Sequence, residues 1–110
     1  MGQTGKRPSK KTLKIGDRLV VTADGGRHTD WSANMHVVPE SVARGDDKWL
    51  DSRGNILVSR SRDLVPGDII EVVKTVWRSP HGGAWVTVKL VDNTEWVTWQ
   101  CNIRERTRFA

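Results

Sequence analysis

No window of this chain sustains a 3.6-residue apolar period beyond two turns, and that narrows the available folds more than any motif does. The apolar residues fall instead in short runs, separated by turn signals at roughly 8–12-residue spacing, the pattern of a small barrel or sandwich. The kind of residue agrees. Fourteen Val, nine Thr and six Trp stand against one Phe and no Tyr, and Val, Thr and Trp favour strands. The fold expected is all-β.

Two runs share an opening. "IGDRLVV", Ile15 to Val21, and "PGDIIEVV", Pro66 to Val73, both place Gly-Asp before a β-rich stretch. Gly reaches positive φ at no steric cost and Asp bonds neighbouring amides, so each pair reads as a tight turn feeding a strand. The echo invites an internal duplication, 15–66 against 67–110, although two matching strand starts also arise without one. Between them lie a loop, "ADGGRHTDWS", and a short strand, "NMHVVPE", closed by Pro39. "PESVAR" then fits one helical turn with Pro39 at its first position, and "KWLDSRGNILVSR" reads as a hairpin turning through Ser52–Asn55. Residues 1–12 read as a flexible basic arm, and 13–110 as one domain.

The stretch "AWVTVKLVDNTEWVTWQC" sets a problem of register, because Trp96 and Trp99 lie three residues apart and point to opposite faces of any strand. A loop over Asn93-Thr94, or over Asp92–Glu95, pairs Leu90 with Val97, Val88 with Trp99 and Val86 with Cys101. One face is then wholly apolar. This register expects Trp99 in the core, with Trp96 and Trp85 on the outward face.

The net charge of +5 lies in the ends. Residues 1–14 carry Lys6, Arg7, Lys10, Lys11 and Lys14 with no acid, and residues 104–110 carry Arg104, Arg106 and Arg108 against Glu105. Between them, residues 15–103 hold ten basic and twelve acidic side chains. Binding to nucleic acid, if it occurs, must run through those ends or through local patches.

"PGDIIEVV" followed by "GAWVTVKLVDNTEWVTWQCNI" resembles the strand order of SH3-like small barrels. "VKLVDNTEWV…NIRE" is similar to their Tudor branch, while the KOW branch also sets Gly-Asp before such a strand. The resemblance covers residues 64–105 and implies a single barrel of five to seven antiparallel strands. The chain lacks the regular glycine spacing of KOW and the Tyr and second Phe of a Tudor cage, so the resemblance speaks to fold before function.

No catalytic constellation emerges. His28 and Asp30 share a loop, as solvated residues do; His36 and His81 stand apart; three His and one Cys match no zinc spacing. Arg44-Gly45-Asp46 is an adhesion tripeptide that reads as a solvated turn. An enzyme, a metal and a cofactor are not expected. The single Cys101 excludes an intramolecular disulfide. No apolar run reaches the roughly 18–20 residues of a membrane span. No apolar h-region follows the basic N-terminal stretch, and Lys6 breaks the myristoylation pattern. A cytoplasmic location is the expectation.

The tryptophans remain. Trp49 and Trp77 fall in apolar strands and Trp31 in a loop. Outward Trp85 and Trp96, near Lys89, suit stacking of nucleic-acid bases, with the basic ends tracking phosphates. The expected role is a non-catalytic module binding DNA or RNA, such as a bacterial or bacteriophage transcription accessory protein. The alternative is a protein–protein assembly module anchored by the same tryptophans, and the bland reading is that another strand or the arm covers them.

Overall fold

The computed structural model describes residues 4–22, 35–45, 61–80 and 82–110. The expected hairpin over 48–60 lies outside these, as do His28, Trp31, Trp49 and His81. Seven strands and two short helices follow in the order β1 (Arg18–Val21), β2 (Met35–Val37), α1 (Glu40–Ala43), β3 (Arg62–Leu64), β4 (Ile69–Arg78), β5 (Ala84–Lys89), β6 (Glu95–Trp99), α2 (Gln100–Arg106) and β7 (Thr107–Phe109). A five-stranded antiparallel sheet runs β6-β5-β4-β1-β7, and β2 pairs with β3 in a second. Reciprocal bonds between Val38 and Val97, of 2.9 and 2.7 Å, join the two at the β6 edge. The chain is mostly β, as its composition demanded.

The Gly-Asp echo has a structural meaning. Asp17 accepts the Lys14 amide at 2.7 Å and Asp68 the Val65 amide at 2.9 Å, while Gly16 and Gly67 take φ of 93° and 100°. Each turn also latches onto the far end of the other's strand. The Gly16 amide donates to Val72 and the Val72 amide to Asp17, and the Gly67 amide donates to Val21 and the Val21 amide to Asp68, all at 2.8 Å. The two motifs are the mirrored starts of one antiparallel pair, β1 with β4.

β5 is buried on both faces, and the pleat divides its residues. Val86 and Val88 enter the main core with Leu19, Ile70, Val72 and Phe109, roofed by Met35 and Val37 of β2 and by Ile103 of α2. Trp85 enters a second cluster on the opposite face, with Val38, Val97 and the α1 residues Val42 and Ala43. Ten-residue β4 carries two register irregularities against β5, between Val72 and Lys74 and between Lys74 and Trp77. Such irregularities bend a strand and increase its twist.

Three expectations are corrected. The β5–β6 register is Trp85 with Trp99, Thr87 with Val97 and Val88 with Trp96, three residues away from the one read in the sequence. The cause is the turn. Asn93 takes the left-handed conformation (φ 68°) and its amide bonds Leu90 at 2.9 Å, while the Leu90 amide reaches Thr94 at 3.0 Å. The loop is therefore Val91–Asn93, a tight turn closed by a left-handed residue. A slip of three is odd, so it inverts the faces of β6. Trp99 is 43% exposed, Trp85 is buried, and Trp96 packs partly against the main core.

The second correction is α2. β6 stops at Trp99 and Cys101 lies in the helix, so it does not pair with Val86. Two turns with one buried apolar residue, Ile103, are too short for periodicity to reveal. α1 forms over the expected stretch, but Pro39 is its N-cap rather than its first residue.

The third concerns the arm. Its described part, residues 4–12, is docked. The Gly5 amide donates to Phe109 at 2.8 Å and the Phe109 amide to Lys6 at 2.9 Å, which extends the sheet beyond β7. Pro8 is buried, and Leu13, just after the arm, belongs to the main core. A flexible segment would leave these groups in water; burying Leu13 and satisfying the edge of β7 offset the entropy of ordering it.

Candidate nucleic-acid interface

Docking of the arm brings the two basic ends of the sequence together. Arg7 is the clamp, its guanidinium donating to the carbonyl of Glu105 at 3.0 Å and reaching that of Arg104 at 3.5 Å, both in the last turn of α2. Arg108 donates back to the Gly5 carbonyl at 3.1 Å. These carbonyls sit at the negative end of a short helix, where a cation is stabilising. Ser9 and Thr12 close a turn between Arg7 and Leu13 through reciprocal side-chain and backbone bonds.

This edge carries two concavities, of which the first is basic. One is a depression of about 390 Å³ walled by Lys11, Lys14 and Arg18, with Thr4, Thr12 and Phe109 among its lining. Asp17 also lines it, but one of its carboxylate oxygens holds the Lys14 amide. The other is a narrow crevice where Lys10 and Arg104 meet over Leu13 and Ile103. Lys6, Lys10, Lys11, Lys14, Arg18 and Arg104 are exposed, and none makes an ion pair with a described carboxylate.

The residues singled out in the sequence thus divide. Lys6, Lys10, Lys11, Lys14 and Arg104 share the edge formed by the arm, β1 and α2. Arg7 and Arg108 are present but spent on backbone carbonyls. Arg106 is 3% exposed, inside the fold and unable to meet a ligand. Lys89 is half-buried opposite Glu95 on β6, across the sheet from this edge. Arg18 was missed because it was counted with the slightly acidic body, although it stands four residues after Lys14; the pairing of β1 with β7 brings it beside the C-terminal end as well.

The tryptophans stand elsewhere, and neither outward assignment survives. Trp85 is covered by α1 and β2, as the bland reading had it, and its indole donates to the Gly82 carbonyl at 3.2 Å. Gly83 leaves room for that ring, since a Cβ there would lie 3.1 Å from the indole nitrogen. Trp96 is fixed by a polar chain. Its indole donates to the Thr94 hydroxyl at 2.8 Å, Thr94 bonds Asp92, and Asp92 pairs with Arg62 at 2.7 Å. Arg62 also lies 5.9 Å from the centroid of the Trp96 ring. Hydrogen bonds from Thr94, and then from Arg62, lower the Asp92 pKa to about 2. On the other face Glu40 is held below its usual value by hydrogen bonds from Arg44 and Lys74, against partial desolvation. Arg44 covers Trp77 at 4.7 Å.

Among the described residues no three His, Cys, Asp or Glu converge as metal ligands, and no helix is long and apolar enough to cross a membrane. No protein-family model, no curated protein and no solved structure matches this chain.

Proposed function

We propose that the chain is a small SH3-like β-barrel that binds nucleic acid along the edge built by residues 4–14, β1, β7 and α2. Support for the barrel reading comes from the strand order. Hairpin-linked β4, β5 and β6 follow one another, a short helix follows β6, and the final strand returns to pair with the first. The twice-bulged β4 supplies the bend that lets such a sheet curl around a single core.

One observation carries the functional reading: five cations from residues 6–18 and Arg104 from the other end of the chain, none ion-paired to a described carboxylate, are folded onto one edge of an otherwise slightly acidic body. Like charges outnumber the acids beside them here, Asp17 in the depression and Glu71 across from Arg18, and such an excess repels itself. A polyanion relieves it, and each phosphate met by a Lys or Arg releases condensed counterions. The test is the salt dependence of binding to a labelled oligonucleotide. With about five phosphate contacts, affinity should fall by roughly 10²–10³-fold between 50 and 200 mM salt.

Trp99 supports the second reading, an assembly module. It is 43% exposed and rests on Trp85 with ring centroids 5.8 Å apart, an aromatic anchor of the kind protein interfaces favour. Its binding would respond little to salt.

A further inference from the structure

Resting on the nucleic-acid reading just proposed, we infer that the ligand is held by its phosphate backbone alone, seated in the Lys11–Lys14–Arg18 depression, with no base stacked on the protein. The site therefore takes nucleic acid without regard to sequence and accepts a duplex as readily as a single strand.

Stacking needs an exposed aromatic ring beside the cations that track the backbone. Among the described residues the aromatic at the basic edge is Phe109, which is 6% exposed and committed to the main core. Among the described tryptophans, Trp85, Trp96 and Trp99 lie on β5 and β6 and Trp77 at the far end of β4, with β1 and the body of β4 between them and β7. Trp99, the N-cap of α2 and five residues before Arg104, is the nearest of these rings along the chain, but no described tryptophan lines the Lys11–Lys14–Arg18 depression.

What the edge does offer suits phosphate. Three side chains from three consecutive segments, Lys11 in the arm, Lys14 at the turn and Arg18 on β1, converge on one concavity. Their mountings are rigid. The turn is closed by Asp17 on the Lys14 amide and by Gly16 on Val72, and the Arg18 carbonyl holds the Ala110 amide at 3.0 Å. Lys10 and Arg104, also exposed, flank a separate small crevice through the apolar parts of their side chains. Long cationic side chains on fixed backbones position a polyanion without reading base edges.

The experiment measures anisotropy of labelled 20-mers of differing sequence, single-stranded and duplex, against the wild type, the triple variant K11Q/K14Q/R18Q and W99A, each shown by its thermal melt to be folded at the assay temperature. The expected result is wild-type binding that varies less than about threefold with sequence and strandedness. The triple variant should bind at least tenfold more weakly at 100 mM salt, with a salt slope reduced by about three, and W99A should match the wild type. Wild-type binding that the triple variant keeps and W99A loses would overturn this inference while leaving the nucleic-acid reading in place. So would a preference beyond about tenfold for one sequence or for single strands. A wild type that binds none of the oligonucleotides overturns both.

Discussion

The two edges of the five-stranded sheet use the same residue types to opposite ends. Around β6 the named cations have carboxylate partners: Arg62 with Asp92, and Arg44 and Lys74 with Glu40. Two of them also cover tryptophan rings. Around β7, among the described residues, six cations make no ion pair and the aromatic residue, Phe109, is inside. Charge at the first edge fixes local structure; at the second it is left available. Exposed ion pairs stabilise by only about 0–1 kcal/mol each, so the difference is not one of stability. Leaving six like charges unpaired on one edge gains the fold nothing, and that is the physical ground for assigning binding to β7 and structure to β6.

The most direct way to break the comparison is Trp85→Ala. If the β6 side is structural, removing this buried indole should cost about 3–5 kcal/mol in a denaturant melt, a large share of the roughly 5–15 kcal/mol that holds a domain together. A loss below 1 kcal/mol would make that face a surface and restore it as a binding candidate. Leu13→Ala tests the other edge, since Leu13 is where the arm enters the core. A loss of about 2–4 kcal/mol is expected, together with weaker oligonucleotide binding, because Lys10, Lys11 and Lys14 would lose their common footing. Binding that survives a loosened arm would place the ligand elsewhere.

Trp99→Ala should cost less, about 1–2 kcal/mol, mainly the tilted contact with Trp85 and part of its area. That ranking reverses the one the β-pattern suggests, so melts of the Trp99 and Trp85 variants test the register directly. The smallest effect belongs to Asp92. Its folded pKa is depressed, so the stability it contributes is complete above the ordinary carboxylate value near 4. It is lost as pH falls toward about 2. An acid titration of the wild type should show a shallow loss over that window that Asp92→Asn lacks. Equal slopes would remove the Arg62–Asp92–Thr94 chain from the account of how Trp96 is held.

Much of the β6 hairpin was legible and its key detail was not. The alternation of "AWVTVKLV" and "EWVTWQC" located both strands, although β5 ends at Lys89 and β6 at Trp99. The face of Trp99 hung on which residue of "VDNT" adopts positive φ. Asn93 was the available signal, since Asn tolerates the left-handed conformation better than Asp or Thr, but a loop centred on Asn93-Thr94 gives a wholly apolar face and looks the better solution. Real packing had no need of that uniformity, because α1 and β2 cover the other face and bury Trp85 and Val97 there. Long-range cover overrode local pattern.

What the sequence determined by itself was of short range. Strand-forming runs, the two Gly-Asp turns with their carboxylate-to-amide bonds, and the helical turn after Pro39 each depend on neighbours within about four residues, where side-chain and backbone chemistry act directly. Tertiary structure alone decided which charges share a surface. Arg7 and Glu105 are far apart along the chain, and so are Arg18 and Arg104, until β1 pairs with β7 and the arm adds itself to that edge. Pleat and turn set the direction of one strand's side chains. Only pairing between distant strands sets which of them meet, because that pairing is fixed by burying one core, a property no local window contains.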